Sequence, residues 1–276
     1  VEDQSLQRQC QMAKQALTAA GLEYPLVGKP NMGCRGVGVR LLKDDAELAD
    51  YLQGFPAGGC IQFQKLSQWD AEAGVFYVRD PDKATGEVTS LTLKYTPFVV
   101  GDGERQLAEL VAADARAGEL LPLYRSRHVA RWHDVIPRGE PYRLVFAASH
   151  SRGAIFRDAG ELISQKLSQS LDKIFEDIPG FYYGRLDVKF KDIESLSAGL
   201  EFNIIEINGA SSESINIWDR NAGLITAINT LLQQYHTLFK LGSISRKRGV
   251  RPPGLMALYR AWRFENNLVK QYPPND

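Results

Sequence analysis

Two apolar runs, Tyr183–Phe190 and Phe202–Asn208, constrain this chain more than any other stretch, because each has the length of a strand and each carries charge inside it. Strand side chains alternate between faces, so Glu206 and Asn208 share one face of the second run. A carboxylate inside Phe202-Asn203-Ile204-Ile205-Glu206-Ile207 is costly to bury without a cation or a partner. The two runs therefore call for an antiparallel pair in which Asp187, Glu206 and Asn208 gather as three hard oxygen donors. That set suits Mg²⁺ held through one or two carboxylates and the phosphates of a substrate. A structural ion pair with Arg185 accounts for the same residues equally well, and spacing alone does not separate the two.

The rest of the composition narrows the class. Thirty-three Lys and Arg balance 33 Asp and Glu in 276 residues, which excludes a broad nucleic-acid coat, since a surface that neutralises many phosphates shows an excess of cations. The longest apolar stretches, such as Leu91–Val100, are strand-sized, far from the ~20 residues of a membrane helix. No span is expected, and the reading goes against membrane association. The first residues show no signal-peptide pattern and no initiator Met, so the chain reads as a processed or excerpted piece. Cys10, Cys34 and Cys60 are odd in number and scattered, which fits reduced thiols and a cytoplasmic location. His128 and His133 are five apart and share no helix face, so zinc is not expected. The cations from Arg246 to Arg251, beside Pro252-Pro253, read as a solvated connector rather than a site for anionic lipid or an anionic substrate.

Periodicity predicts a helix over residues 5–20, a strand 24–30 that delivers Lys29, a glycine-rich turn, a strand 39–42 and a helix from Asp44 or Asp45 to Leu52. Strands follow at 60–66, 74–79 and 88–94, the last two forming a hairpin across Asp80-Pro81-Asp82-Lys83-Ala84-Thr85-Gly86. A helical stretch holds Leu107, Leu110 and Val111, and residues 118–138 show no clear period. Strands at 142–148 and 154–156, a helix 164–178 and a last helix around 224–238 complete the pattern.

Lys29 followed by Gly33-Cys34-Arg35-Gly36-Val37-Gly38 is a second site candidate, because glycines let backbone N–H groups approach phosphate oxygens. The spacing matches neither the P-loop nor the dinucleotide fingerprint, and an ordinary glycine-rich hairpin stays open. Lys65, Lys94, Arg152 and Arg185 read as further cations in strands, each by itself a common edge residue, significant only together.

In order, Val27-Gly28-Lys29-Pro30 with its glycine loop, Leu93-Lys94-Tyr95, Gly184-Arg185-Leu186-Asp187-Val188 and Glu206-Ile207-Asn208-Gly209 resemble the ATP-grasp superfamily. The likeness runs from about Gly21 to Asp219 and is greatest to the carboxylate-amine ligases, the group of D-alanine:D-alanine ligase, glutathione synthetase and cyanophycin synthetase. Val99-Val100-Gly101-Asp102-Gly103 also resembles a cyanophycin synthetase segment. The resemblance implies an α+β fold with two α/β subdomains of mainly antiparallel sheets and ATP between them. Residues 1–70 would form a small lid subdomain, and 71–276 a larger one with the metal-binding strands and C-terminal helices.

It further implies roles. Lys29 and Lys94 would hold the ATP phosphates, with Gly33, Arg35, Gly36 and Gly38 closing over them. Gln64 and Lys65 would line the adenine hinge, and Glu72 would bind ribose. Asp187, Glu206 and Asn208 would hold two Mg²⁺ ions. Arg185, Lys94 and Arg152 would stabilise the transferred phosphoryl or acyl phosphate, and Ser211 and Ser212 would face the substrates. The implied partners are a small-molecule or peptide carboxylate and an amine, with homo-oligomerisation left open. The implied reaction is ADP-forming amide synthesis through an acyl phosphate. An ATP-grasp kinase and a non-catalytic nucleotide-binding module remain alternatives. Relatives carry a further domain before this core, whereas about twenty residues precede Tyr24 here, so either that domain lies outside the given chain or substrate binding is arranged differently; an additional upstream lysine has no match, since Lys14 lies too close to Lys29.

Overall fold

A computed structural model describes residues 5–33, 36–147, 149–178 and 180–273. In chain order the elements are α1 (Leu6–Ala19), β1 (Leu26–Pro30), β2 (Arg40–Leu42), α2 (Asp45–Gln53), β3 (Ile61–Lys65), β4 (Ala71–Val78), β5 (Glu87–Tyr95) and β6 (Phe98–Val100). They continue as α3 (Leu107–Ala113), α4 (Leu121–Arg127), β7 (Pro141–Arg143), β8 (Ile155–Asp158), α5 (Gln165–Glu176), β9 (Tyr183–Phe190), α6 (Ile193–Ser197), β10 (Phe202–Asn208), α7 (Leu224–Lys247) and α8 (Leu255–Val269). Every strand pairing is antiparallel, so the class is α+β with antiparallel sheets, as expected. No described helix is long and apolar enough to cross a membrane.

The chain forms two compact units. The first takes the described residues up to Leu66, then Thr96–Gly153, then those from Pro253 on; the second takes Ser67–Tyr95 and Ala154–Pro252. The expected division at residue 70 thus differs from the observed one, because residues 96–153 and those after 252 join the first unit.

In the first unit the sheet β2-β1-β3 packs on α1, α2 and the end of α8, burying Leu26, Leu42, Leu48, Tyr51, Leu268 and Tyr272. Asp44 caps α2, its carboxylate accepting from the N–H groups of Ala46 and Glu47 at 2.9 Å each. A separate core of Val99, Leu107, Val111, Tyr124, Ile136 and Leu144 organises residues 96–153. The strand expected at 142–148 ends at Arg143, because its guanidinium donates to the carbonyls of Val145 and Phe146 and turns the chain.

The second unit is a five-stranded sheet in the order β10-β9-β4-β5-β8. One face is apolar: Ala73, Val75, Tyr77, Leu91, Leu186 and Val188 bury against Leu167, Leu171 and Phe175 of α5. Alternation then sends the intervening residues of each strand to the other face. The predicted terminal helix runs on through Arg246 and Lys247, and α8, which the sequence pattern did not indicate, follows Pro252-Pro253. The extension is held from a distance. Lys240 pairs with Asp80 at 3.2 Å, and Arg248 pairs with Asp82 and donates to the Pro81 carbonyl at 2.9 Å, so the hairpin turn grips the end of α7.

Candidate functional site

The polar face of the five-stranded sheet brings together most of the charged residues singled out in the sequence. Strand register sets one row as Glu206, Asp187, Gly74, Thr92 and Asp158, and the row beside it as Lys189, Glu72, Lys94 and Phe156. Asn208 stands opposite Arg185. A β-bulge between Ile204 and Glu206 makes this possible. Strict alternation would put Phe202, Ile204, Glu206 and Asn208 on one face. The extra residue lets Phe202 and Ile204 pack on the core while Glu206 and Asn208 face the other way.

The charges alternate along this face. Lys94 Nζ lies 2.7 Å from Glu72 Oε1 and 2.9 Å from Asp187 Oδ2. Arg185 Nε donates to Asp187 Oδ1 at 2.9 Å and its Nη1 to the Glu213 carbonyl at 3.1 Å. Lys189, unnoticed in the sequence although it continues the alternation of Arg185 and Asp187, reaches Glu72 at 3.8 Å and the Asp70 carbonyl at 3.0 Å. Lys94, Glu72 and Asp187 are all buried, at 9%, 7% and 5% exposure, so each depends on the others for its charge. Burial opposes the charge on Lys94, and Asp187 and Glu72 outweigh it, holding the ammonium above its ordinary pKa. Burial likewise opposes ionisation of Asp187, and Lys94 and Arg185 hold its pKa below the usual carboxylate range.

Two expectations need correction. Glu206 is exposed, because β10 is an edge strand, so the cost of burial does not explain it. Arg185 pairs with Asp187, two residues along its own strand, whereas the ion-pair alternative concerns Glu206, the carboxylate inside the second run.

Thr92 Oγ1 and Asn208 Nδ2, both on the polar face, are buried side-chain atoms without a hydrogen-bond partner. Each such atom costs roughly 1–3 kcal/mol until something pairs with it, which is a reason to look for a ligand here. No group of three or more His, Cys, Asp or Glu side chains placed to hold a metal ion occurs among the described residues. A cation at Asp187 and Glu206 would thus rest on two carboxylates, the Asn208 carboxamide and oxygens arriving with it. That donor set fits Mg²⁺, which takes few protein carboxylates and keeps phosphate or water oxygens. After β10, Ser212 Oγ donates to the Gly209 carbonyl at 2.6 Å and closes the turn, while Ser211 is exposed.

The other predicted residues belong to the first unit. Lys29 Nζ donates to Gln64 Oε1 at 2.8 Å on the adjacent strand, and Lys65 is exposed at the end of β3. Arg35 lies outside the described residues, between Gly33 and Gly36. Gly36 and Gly38 have φ of 69° and 73°, the left-handed region that glycine tolerates. A Cβ on Gly36 would come within 3.0 Å of Arg152 Nη1, so the loop backbone approaches a guanidinium.

Arg152 sits in a 3-10 turn, His150–Arg152, rather than in the expected strand, because the left-handed Gly153 ends the turn and the Tyr124 hydroxyl holds the Arg152 carbonyl at 2.8 Å. Its side chain is buried and donates to the Ala147 carbonyl at 3.3 Å, and no described carboxylate forms an ion pair with it. Burial, with the Arg127 charge adding to it, pushes its pKa down to about 10. A buried cation without a counter-ion among the described residues, beside a glycine backbone, suits an anion.

No family model matches the chain, and no curated protein matches it by sequence. Among solved structures it is similar to a bifunctional glutathione synthetase from Pasteurella multocida, with 17% identity over 85% of this chain and 33% of that one and a TM-score of 0.39. It is also similar to a D-alanine–D-alanine ligase from Bacillus anthracis complexed with ATP, with 14% identity, 81% and 54% coverage and a TM-score of 0.37. A third is the VanG D-Ala:D-Ser ligase from Enterococcus faecalis, with 14% identity, 83% and 54% coverage and a TM-score of 0.39. The chain spans between a third and about half of their lengths.

Proposed function

We propose that the chain is the nucleotide- and metal-binding part of an ATP-dependent, ADP-forming carboxylate-amine ligase. The observation that carries this reading is the state of Asp187, a buried carboxylate held between Lys94 and Arg185 on a face where Glu206 stands opposite it. In the structure the opposite charges neutralise one another. With nucleotide they would exchange partners, Lys94 and Arg185 turning to phosphate oxygens and Asp187 and Glu206 to the accompanying cation. The Asn208 amide, buried on the same face without a hydrogen-bond partner, is a group that an ordinary structural ion pair leaves unused.

The substrate carboxylate oxygen attacks the γ-phosphorus, the bond to the β-phosphate oxygen breaks, and ADP leaves. An amine then attacks the acyl carbon, loses a proton, and expels inorganic phosphate. Lys94 and Arg185 offset the charge that develops on the transferred phosphoryl group, and Arg152 takes the acyl phosphate. Lys29, Gln64, Lys65 and the backbone of Gly33, Gly36 and Gly38 hold the nucleotide, with Glu72 on the ribose. Ser211 and Ser212 orient substrate. Mg²⁺, when bound by Asp187, Glu206 and Asn208, supplies Lewis-acid neutralisation of phosphate charge.

The test is ADP release that requires Mg²⁺, a carboxylate and an amine together, with hydroxylamine trapping the activated acyl group as hydroxamate. Asp187→Asn is expected to abolish it. ADP formed with an alcohol acceptor and no hydroxamate would assign a kinase instead. ATP binding without turnover on any pair of carboxylate and amine would leave a binding module.

A further inference from the structure

In a chain whose cations and carboxylates balance, residues 246–264 contain Arg246, Lys247, Arg248, Arg251, Arg260 and Arg263 and neither Asp nor Glu. Every residue of this segment is exposed. Within α8, Leu255, Leu258, Tyr259 and Trp262 recur at three- and four-residue steps and so line one side of the helix. They are exposed by 88%, 57%, 50% and 57%, with Met256 and Phe264 also open to solvent. Such a stripe on an ordinary surface helix faces a core. Here only the far end of α8 does so, through Leu268, Val269 and nearby Tyr272, which anchors the helix and leaves its first turns clear. Contiguous exposed apolar side chains mark an interaction surface.

We propose that the first turns of α8 dock on an anionic phospholipid surface, the apolar stripe entering the boundary of headgroups and acyl chains. The charge pattern selects this occupant. Arg260 and Arg263, with neither Asp nor Glu among residues 253–264, complement a diffuse negative surface, whereas a second copy on the same patch would set like charges against each other. The side chains agree. Trp262 and Tyr259 have rings suited to a polar–apolar boundary, and Arg260 and Arg263 can lay their stems on apolar surface with heads toward phosphate. The Arg263 guanidinium already lies 5.9 Å from the centre of the Tyr259 ring. Since α8 is too short and too charged to cross a bilayer, it would lie in the interface plane. The connector reading of Arg246–Arg251 stopped where this helix begins; of those cations Arg248 also pairs with Asp82.

Sedimentation with vesicles of phosphatidylcholine alone and of phosphatidylcholine with phosphatidylglycerol tests the proposal. Binding is expected only to the second kind, weakening as salt is raised. Arg260→Gln and Arg263→Gln should each lower partitioning roughly fivefold at low salt. Leu255→Ser with Trp262→Ser should remove binding while leaving the far-ultraviolet circular dichroism unchanged. Equal binding to both vesicle types, binding to neither, or binding that survives these substitutions overturns it. A dimer in light scattering that Leu255→Ser with Trp262→Ser dissociates, without vesicle binding, assigns the stripe to a second copy instead. None of these residues belongs to the nucleotide site, so ADP release reports on that reading separately.

Discussion

At the scale of single residues, the polar face is held by charges that cannot do without one another. Lys94→Met would leave Glu72 and Asp187 buried beside an apolar side chain, and removing one partner of a buried ion pair typically costs about 3–5 kcal/mol. Urea denaturation should show a loss of that order, while Lys191→Met, whose pair with Glu201 is open to water, should change stability little. If the two variants lose the same, the network is not structural. The pH dependence has a defined sign. Asp187 has a folded pKa below its unfolded value of about 3.9, so its contribution is present above that value and fades as pH falls through the folded one. Lys94, raised above its unfolded value of about 10.4, contributes below that value and loses its contribution as pH rises through the folded one. The stability gap between wild type and Asp187→Asn should therefore narrow on going from about pH 7 to about pH 3, as urea midpoints would show. Asp187, Glu206 and Asn208 could be read from the chain as a trio on neighbouring strands. Their actual partners could not, because Lys94 and Glu72 lie about a hundred residues earlier in sequence.

At the scale of elements, the single residue inserted in β10 decides which side chains meet the ligand face. Deleting Ile205 would force either Phe202 and Ile204 or Glu206 and Asn208 to the wrong side. The apolar pair packs on the core and is expected to hold, so the polar pair should turn away. ADP release should then be lost in a chain that still folds, whereas Ile205→Ala, which keeps the count, should retain it. Loss of activity in both would assign Ile205 a packing role. Helix ends behave more locally: Asp44→Ala removes the acceptor for two N–H groups of α2 and should lower stability by about 1 kcal/mol in thermal or chemical melts. The cap, the β4–β5 hairpin and both carboxylate strands were legible because each rests on spacing within a few residues. The bulge was not, since two adjacent isoleucines satisfy either face until a core is present to choose between them.

At the scale of the whole molecule, two units with separate apolar cores share a chain that passes between them several times. Domains with their own cores depart from two-state unfolding, so the van't Hoff enthalpy from calorimetry is expected to fall below the calorimetric one. Equality of the two would mean that the units unfold together. Strand order makes the candidate site: β4 lies between β9 and β5, and only that order sets Lys94 and Asp187 within 2.9 Å. The residue pattern alone was enough for the positions of the main strands and helices and for placing Asp187, Glu206 and Asn208 on two neighbouring strands, since alternation and turn chemistry act over short distances. Which cation answers each carboxylate, why Arg152 is buried in a turn, why Glu206 is open and why residues 96–153 join the first unit were decided by tertiary structure. Those outcomes depend on strand order and register, and contacts between residues far apart in sequence leave no local periodicity to read.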